Sequence, residues 1–291
     1  MCDDFTAHAD DDALSARGID RRTFAVSGAA AAMLAAWSGQ AGAQTARRLT
    51  ERTVTFETAD GRADAFFVHP ARGKHPAVIM WPDIGGLREA YKAMARRLAA
   101  AGFAVLAVNQ YYRSARAPVL TSFAEWRTPP GQAKLAPMIA ALTGDAVTRD
   151  ATAFVAWLDE QRAVNTERKI GTCGYCMGGP FTVRTAAAVH ARVGAAASFH
   201  GSRLVTDQPD SPHNFLALTQ ASYLIAIARN DDARTPGDKD TLRAAALEGG
   251  RPAEIEVYAA DHGWCTLDSP VYDKAEADRA WGRMLELFKG L

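Results

Sequence analysis

The chain has 291 residues, 48% of them hydrophobic and 9% aromatic, and its 33 basic side chains are balanced by 33 acidic ones. That composition excludes a disordered chain, and zero net charge argues against a nucleic-acid binder, which usually carries a basic surplus. Four cysteines are too few for a disulfide scaffold.

The first 43 residues form a segment of their own. Arg21-Arg22 precedes an Ala- and Gly-rich apolar stretch from Ala25 to Trp37, and Ala41-Gly42-Ala43 supplies small residues where a signal peptidase cuts. Arg21-Arg22 with Phe24 follows the twin-arginine export pattern in part, with Asp20 in the Ser/Thr position and Ala25-Val26 in place of Leu-Lys. The apolar stretch is shorter than the roughly 20 residues that span a bilayer. The expectation is a twin-arginine-type signal peptide over 1–43, a periplasmic or secreted protein, and no stable membrane span after cleavage. A true start downstream of the signal would instead leave a cytoplasmic protein. Cleavage removes Cys2 and leaves Cys173, Cys176 and Cys265. That number is odd, so at least one thiol is unpaired or pairs between chains.

The remainder, 44–291, reads as one domain of alternating strands and helices. Residues 54–56 and 65–68 are short β-rich runs with Asp60-Gly61 between them, a hairpin signal. The continuous apolar runs 77–81 and 103–108 have the pattern of fully buried strands. Between them, 89–101 has helical spacing and ends at Gly102. Residues 110–144 read as a long irregular stretch and a candidate cap, with Phe123, Trp126 and Pro129-Pro130 as apolar walls. The spacing then predicts a helix over 145–162, a strand over 169–173, a helix over 181–190 and a strand over 193–199. It continues with a strand over 223–227, a helix over 238–247, a strand over 255–258 and a helix over 272–288. This order predicts an α/β fold with an eight-stranded, mostly parallel sheet and helices on both faces. Sites in such sheets lie at the carboxyl ends of the strands.

Three strand ends carry reactive side chains. Gly174-x-Cys176-x-Gly178-Gly179, between a strand and a helix, has the layout of a nucleophile elbow with cysteine in the serine position. Glycines suit it because the turn is tight, and the helix N-terminus behind the sulfur favours thiolate. The chain order of this architecture is nucleophile, acid, histidine. His262 follows the last strand, and Asp231 and Asp232 follow the strand before it. Position alone does not choose between them; families of this architecture usually show small-x-x-Asp, which from Ala228 implies Asp231, and Asp232 stands as the alternative acid. His200, at the end of the strand after the elbow, is one strand too early for the base and is expected to line the pocket. Cys173-Gly174-Tyr175-Cys176 also spells the C-x-x-C of thiol redox proteins, but it falls far into the chain with Cys173 inside a strand. No second C-x-x-C follows to make a metal site.

This constellation resembles the dienelactone hydrolase family of α/β-hydrolases over residues 52–290. The elbow Gly174-Tyr175-Cys176-Met177-Gly178-Gly179 is the specific match. His262-Gly263-Trp264, Asp83-Ile84-Gly85-Gly86 and Asn109-Gln110-Tyr111-Tyr112-Arg113 support it. The resemblance implies carboxymethylenebutenolidase-like hydrolysis by a Cys176–His262–Asp231 triad, with an oxyanion hole from the Ile84 and Met177 N–H groups and no metal or organic cofactor. It also implies that Asp83 modulates the thiol in place of the family's longer Glu, and that Arg113 binds a substrate carboxylate. The family's second carboxylate-binding arginine is Thr266 here. Trp264 and His200 are expected to reshape that side of the pocket.

Thiol chemistry narrows the substrate further. A thiol has a pKa of about 8.5 and an alcohol one near that of water, about 15.7. A tetrahedral intermediate therefore expels the thiolate before a plain alkoxide, which points to a small, activated ester or lactone. The alternatives are a non-catalytic small-molecule-binding relative, given the changes at Asp83 and Thr266, and a C-x-x-C redox protein.

Overall fold

The computed structural model describes residues 47–291. The expected signal peptide, 1–43, lies outside the described residues. Eight strands form one sheet in the order β1-β2-β4-β3-β5-β6-β7-β8. The first two, β1 (Leu49–Thr58) and β2 (Gly61–Pro70), are a hairpin with Thr58 opposite Gly61, and both are longer than the runs predicted from sequence. β2 is antiparallel to β4 (Ala104–Val108), and every later pairing is parallel.

The middle of the sheet is buried on both faces. All residues of β3 (Ala77–Trp81), β4 and β5 (Ile170–Tyr175) are buried, as their uninterrupted apolar runs require. On one face pack α1 (Glu89–Ala100) and the C-terminal α8 (Lys274–Phe288), through Met94, Leu98, Met284 and Phe288. On the other pack α4 (Gly144–Asp159) and α5 (Gly179–Ala188), through Phe154, Leu158 and Phe181. The remaining strands are β6 (Val193–Phe199), β7 (Ser222–Ala228) and β8 (Ala253–Tyr258), with α7 (Asp238–Glu248) leading into β8. This is the α/β-hydrolase architecture.

Two elements depart from the sequence reading. Residues 110–144 are not wholly irregular: they hold the short α2 (Phe123–Trp126) and the three-turn α3 (Pro129–Ala140). Pro129-Pro130 occupies the first turn of α3, where no N–H is needed, and the Thr128 hydroxyl caps the helix by accepting from Gly131 N–H at 3.2 Å. Phe123 and Trp126 are buried in the core cluster that contains Cys176, whereas both prolines are exposed. The second departure is α6 (Arg229–Arg234), a helix of six residues directly after β7 that carries Asp231 and Asp232.

Among the described residues no helix is long and apolar enough to cross a membrane.

Candidate active site

At the end of β5 the chain turns through Cys176 into a short 3-10 turn and then α5. Cys176 sits at φ +52°, the left-handed region that non-glycine residues avoid. The glycines around it are steric necessities. A β-carbon on Gly174 would lie 2.1 Å from the Gly178 carbonyl oxygen, and one on Gly178 would lie 2.5 Å from the carbonyl oxygens of Trp81 and Pro82. Only backbone without side chains lets the elbow press this closely onto β3.

His262 follows β8 and is buried beside the elbow. Asn230 Oδ1 accepts its main-chain N–H at 2.9 Å, and its Nδ1–H donates to Asp231 Oδ2 at 2.6 Å. Asp232 is instead paired with Lys239, 2.6 Å away, so of the two candidate acids Asp231 is the one in contact with the imidazole. Burial opposes a charge on His262, but Asp231 and the Cys176 thiol outweigh it and raise its pKa well above the usual histidine value. Burial likewise opposes a charge on Asp231, and His262 with Arg234 still holds its carboxyl below the usual range. The His262 Nε2 atom, the one not used by Asp231, carries no fully formed hydrogen bond. Such contacts are often loose before substrate binds.

His200 lies beside both Cys176 and His262. Its Nδ1 accepts the Cys176 main-chain N–H at 3.1 Å, so its proton is on Nε2. Its ring centre is 4.9 Å from that of His262 and 5.1 Å from that of Trp264, which is fully buried and stacked on Tyr258. Burial and the neighbouring His262 push the His200 pKa well below the usual value, so it is neutral.

The loop after β3 approaches from the opposite side. Tyr111 donates its hydroxyl to Ile84 O at 2.7 Å, Tyr91 accepts from Asp83 N–H at 2.9 Å, and Gln110 donates to Asp83 O at 2.7 Å. None of the hydrogen bonds that hold this loop uses the Ile84 N–H. Met177 is in the first turn after the elbow, where an N–H has no intrahelical acceptor.

Residues 63–291 match the dienelactone hydrolase family. The chain belongs to that family. It is therefore a hydrolase of the lactone and ester class. Proteins provisionally named as carboxymethylenebutenolidases from Escherichia coli strain K12 and Methylorubrum extorquens are each 28% identical to it. The first matches over 222 residues (75% of this chain, 78% of the relative), the second over 236 (79% and 77%). A crystal structure of a protein provisionally named as a dienelactone hydrolase, from Klebsiella pneumoniae, superposes with a TM-score of 0.72. It is 22% identical and covers 84% of this chain and all of its own.

Within this dienelactone hydrolase family member, two expected residues are engaged elsewhere. Asp83 is not free to reach the thiol. Both of its oxygens are held by the Arg88 guanidinium, at 2.6 and 2.9 Å, and Oδ1 also accepts from Gly85 N–H. Arg88, 1% exposed, spans onward to Asp268 with two bonds of 2.7 Å and lies between the rings of Tyr91 and Phe123. Arg113, expected to hold a substrate carboxylate, is likewise engaged within the protein. It is bonded to Asp60 in the hairpin turn and to Asp150 of α4, which ties the sheet edge to that helix. The Thr266 hydroxyl lies 3.3 Å from the Tyr91 hydroxyl.

The C-x-x-C residues are separated by the sheet. Cys173 points into the core beneath α1 and α8, and burial pushes its thiol pKa up, while Cys176 belongs to the α4 and α5 side. Sequence reasoning missed Arg88, Asp268 and Asn230. Of these only Asn230, beside the expected acid at a strand end, carried a positional signal. Among the described residues no group of three His, Cys, Asp or Glu side chains is arranged to hold a metal ion.

Proposed function

We propose that the protein hydrolyses a small activated ester or enol-lactone through a thioester intermediate on Cys176. The observation that carries this reading is the 2.6 Å bond between His262 and Asp231 beside a cysteine held at φ +52° on the elbow. The Cys176 thiolate attacks the acyl carbon, and the Ile84 and Met177 N–H groups stabilise the oxyanion, each donor contributing on the order of 10²–10³ in rate. The C–O bond breaks, and His262 gives its proton to the leaving oxygen. Water then attacks the thioester while His262 takes a proton from it, and the acid is released as the thiol reforms. Asp231 holds His262 in the required tautomer throughout.

The leaving group has to be good because thiolate is the easier group to expel. Enol esters, enol lactones, thioesters and aryl esters meet that condition; alkyl esters and amides do not. We propose further that Arg21-Arg22 and the apolar stretch after it export the folded protein to the periplasm, with cleavage near Ala43.

The test is a pre-steady-state assay of residues 44–291 with 4-nitrophenyl acetate, followed by peptide mapping. A burst of one equivalent, an acetyl group on Cys176, and loss of both in Cys176→Ala are expected. A folded protein with neither burst nor adduct would sink the thioester route.

A further inference from the structure

His262 is held by more than its carboxylate. β7 and β8 run parallel, with Ala228 opposite Tyr258 as their last paired residues. Beyond that point the chain leaving β7 stays bonded to the chain leaving β8, residue by residue. Arg229 N–H donates to Ala260 O at 3.0 Å, and the Arg229 guanidinium donates to the Asp261 carboxylate at 2.8 and 3.1 Å. Asn230 Oδ1 accepts the His262 N–H at 2.9 Å, and Asp231 Oδ2 accepts the His262 Nδ1–H at 2.6 Å. Adjacent residues of α6 therefore grip His262 twice, once at its main chain and once at its ring.

The two grips do different things. A ring held by one hydrogen bond can still swing about its side-chain torsions. Fixing the main-chain N–H as well determines where Nε2 points, and Nε2 is the atom that exchanges protons with the reacting groups. Trp264 N–H donates to Asp261 O at 3.1 Å and Gly263 sits at φ +105°, so His262 lies in a turn where no strand or helix supplies an acceptor for its N–H. The charge of the acceptor matters too. His262 faces the Asp231 carboxylate, the Cys176 thiol and the neutral His200 ring. The acidic side chains nearby already have cations: Asp231 is paired with Arg234, Asp232 with Lys239 and Asp261 with Arg229. Asn230 is an uncharged acceptor among them. A carboxylate in its place would hold the proton on His262 more tightly. His262 has to be neutral when it takes a proton from water in the second half of the reaction.

We propose that Asn230 is a positioning residue for the hydrolysis: its amide oxygen fixes the His262 main chain, and its lack of charge leaves His262 able to act first as acid and then as base. The proposal rests on the hydrolase reading above and adds to it a residue that acts only through His262. A main-chain N–H is a donor and nothing else, so the amide oxygen of Asn230, not its nitrogen, has to face it. An aliphatic side chain at 230 would leave the N–H without that acceptor, and an aspartate would keep the acceptor but add a charge.

The experiment measures acylation and deacylation separately, by stopped-flow with 4-nitrophenyl acetate, in the unaltered protein, Asn230→Ala, Asn230→Asp and Arg229→Gln. The midpoint of the His262 ring titration is followed in the same proteins by NMR of isotope-labelled histidine, its signal assigned by loss in His262→Gln. Asn230→Ala removes the acceptor. Acylation should slow about ten- to a hundredfold, the cost of a reacting group misplaced by about 1 Å, and the ring midpoint should fall as the contact with Asp231 loosens. Asn230→Asp keeps the acceptor and adds the charge. Acylation should stay within about threefold near pH 8, while the midpoint rises by about half a pH unit and deacylation at about pH 6 slows about threefold. Arg229→Gln breaks an exposed pair that does not touch His262 and should leave both rates within about twofold. Unimpaired acylation in folded Asn230→Ala, or equal losses of acylation in Asn230→Ala and Asn230→Asp, would overturn the proposal while leaving the hydrolase reading intact. If Asn230→Ala does not fold, the split between acylation and deacylation in Asn230→Asp decides, and its absence overturns the proposal. Acylation of none of the proteins would count against the hydrolase reading alone. The ring midpoints then decide: a fall in Asn230→Ala and a rise in Asn230→Asp support the proposal, and equal midpoints in all three overturn it.

Discussion

The main-chain N–H of Cys176 donates to Nδ1 of His200 at 3.1 Å, so a neutral imidazole holds the Cys176 backbone while a second imidazole, on His262, interacts with the thiol. The two histidines are 4.9 Å apart at their ring centres and are driven in opposite directions. His262 has a carboxylate partner and its pKa is raised; His200 has none, and burial with the neighbouring His262 lowers its own.

This opposition fixes the sign of a pH effect. His200 is neutral in the folded protein and titrates near 6.5 when unfolded. Its contribution to stability is therefore present above about pH 6.5 and is lost as the pH falls below that, because only the unfolded chain takes up the proton. His200→Asn keeps an acceptor for the Cys176 N–H and tolerates left-handed backbone, but does not titrate. The stability advantage of the unaltered protein over this variant should narrow between pH 7 and pH 5 in urea unfolding. His200→Phe leaves the buried N–H without an acceptor and should cost about 1–3 kcal/mol more than His200→Asn at pH 7. Parallel pH curves for the unaltered protein and His200→Asn would remove this account.

Asp231 and Asp232 give the second prediction. Asp231→Asn preserves shape but lets the amide stabilise the wrong imidazole tautomer, so turnover of an aryl ester should drop about 10³–10⁴-fold. Asp232→Asn loses only a surface pair with Lys239 and should change turnover by less than about threefold. Stopped-flow acylation rates decide it. Similar losses in both variants would show that the 2.6 Å contact is not what orients His262.

What was legible in the sequence was whatever one element determines alone. The apolar runs 77–81 and 103–108 identify central strands because such runs have no other stable home. Gly174, Cys176 and Gly178 identify the elbow because the tight turn demands those residues locally, and the small-x-x-Asp pattern usual in such families implied, from Ala228, the acid that contacts His262. What was not legible depends on partners brought together by the fold. Arg88 meets Asp268 across 180 positions, and Arg113 meets Asp60 across 53. Before folding, nothing distinguishes an arginine spent on an internal ion pair from one that faces a substrate. Helix α3 was obscured for a local reason: Pro129-Pro130 is a breaker inside a helix and a good start at its first turn.

Arg88 carries the third prediction. Among the described residues it alone is ion-paired with Asp83 and Asp268, and it links the loop bearing Ile84 to the loop that follows His262. Arg88→Met leaves two carboxylates uncompensated in a buried site and should destabilise the fold by about 3–5 kcal/mol. The triple variant Asp83→Asn, Arg88→Met, Asp268→Asn removes the charges together and should recover at least half of that loss. Urea midpoints measure both. If Arg88→Met costs less than about 1 kcal/mol, water reaches the two carboxylates and the triad is not the tie between these loops.

Two glycines make the last prediction because the same substitution should act in opposite directions. Gly178→Ala would drive a methyl group to 2.5 Å from two carbonyl oxygens of the β3 end, and neither is a flexible tip that can swing away. The elbow has to shift, and Met177 N–H shifts with it, so acylation should fall by at least about 10²-fold, the worth of one oxyanion donor. Gly282, exposed in the interior of α8, has nothing within 4 Å of its added carbon. Gly282→Ala should therefore stabilise the protein by about 0.5–1 kcal/mol, through helix propensity and a less flexible unfolded chain, with no change in acylation. Measured side by side, the pair separates strain at the elbow from the general effect of the substitution. Unimpaired acylation in a folded Gly178→Ala protein would mean that the close approach of elbow and β3 does not set the position of the Met177 N–H.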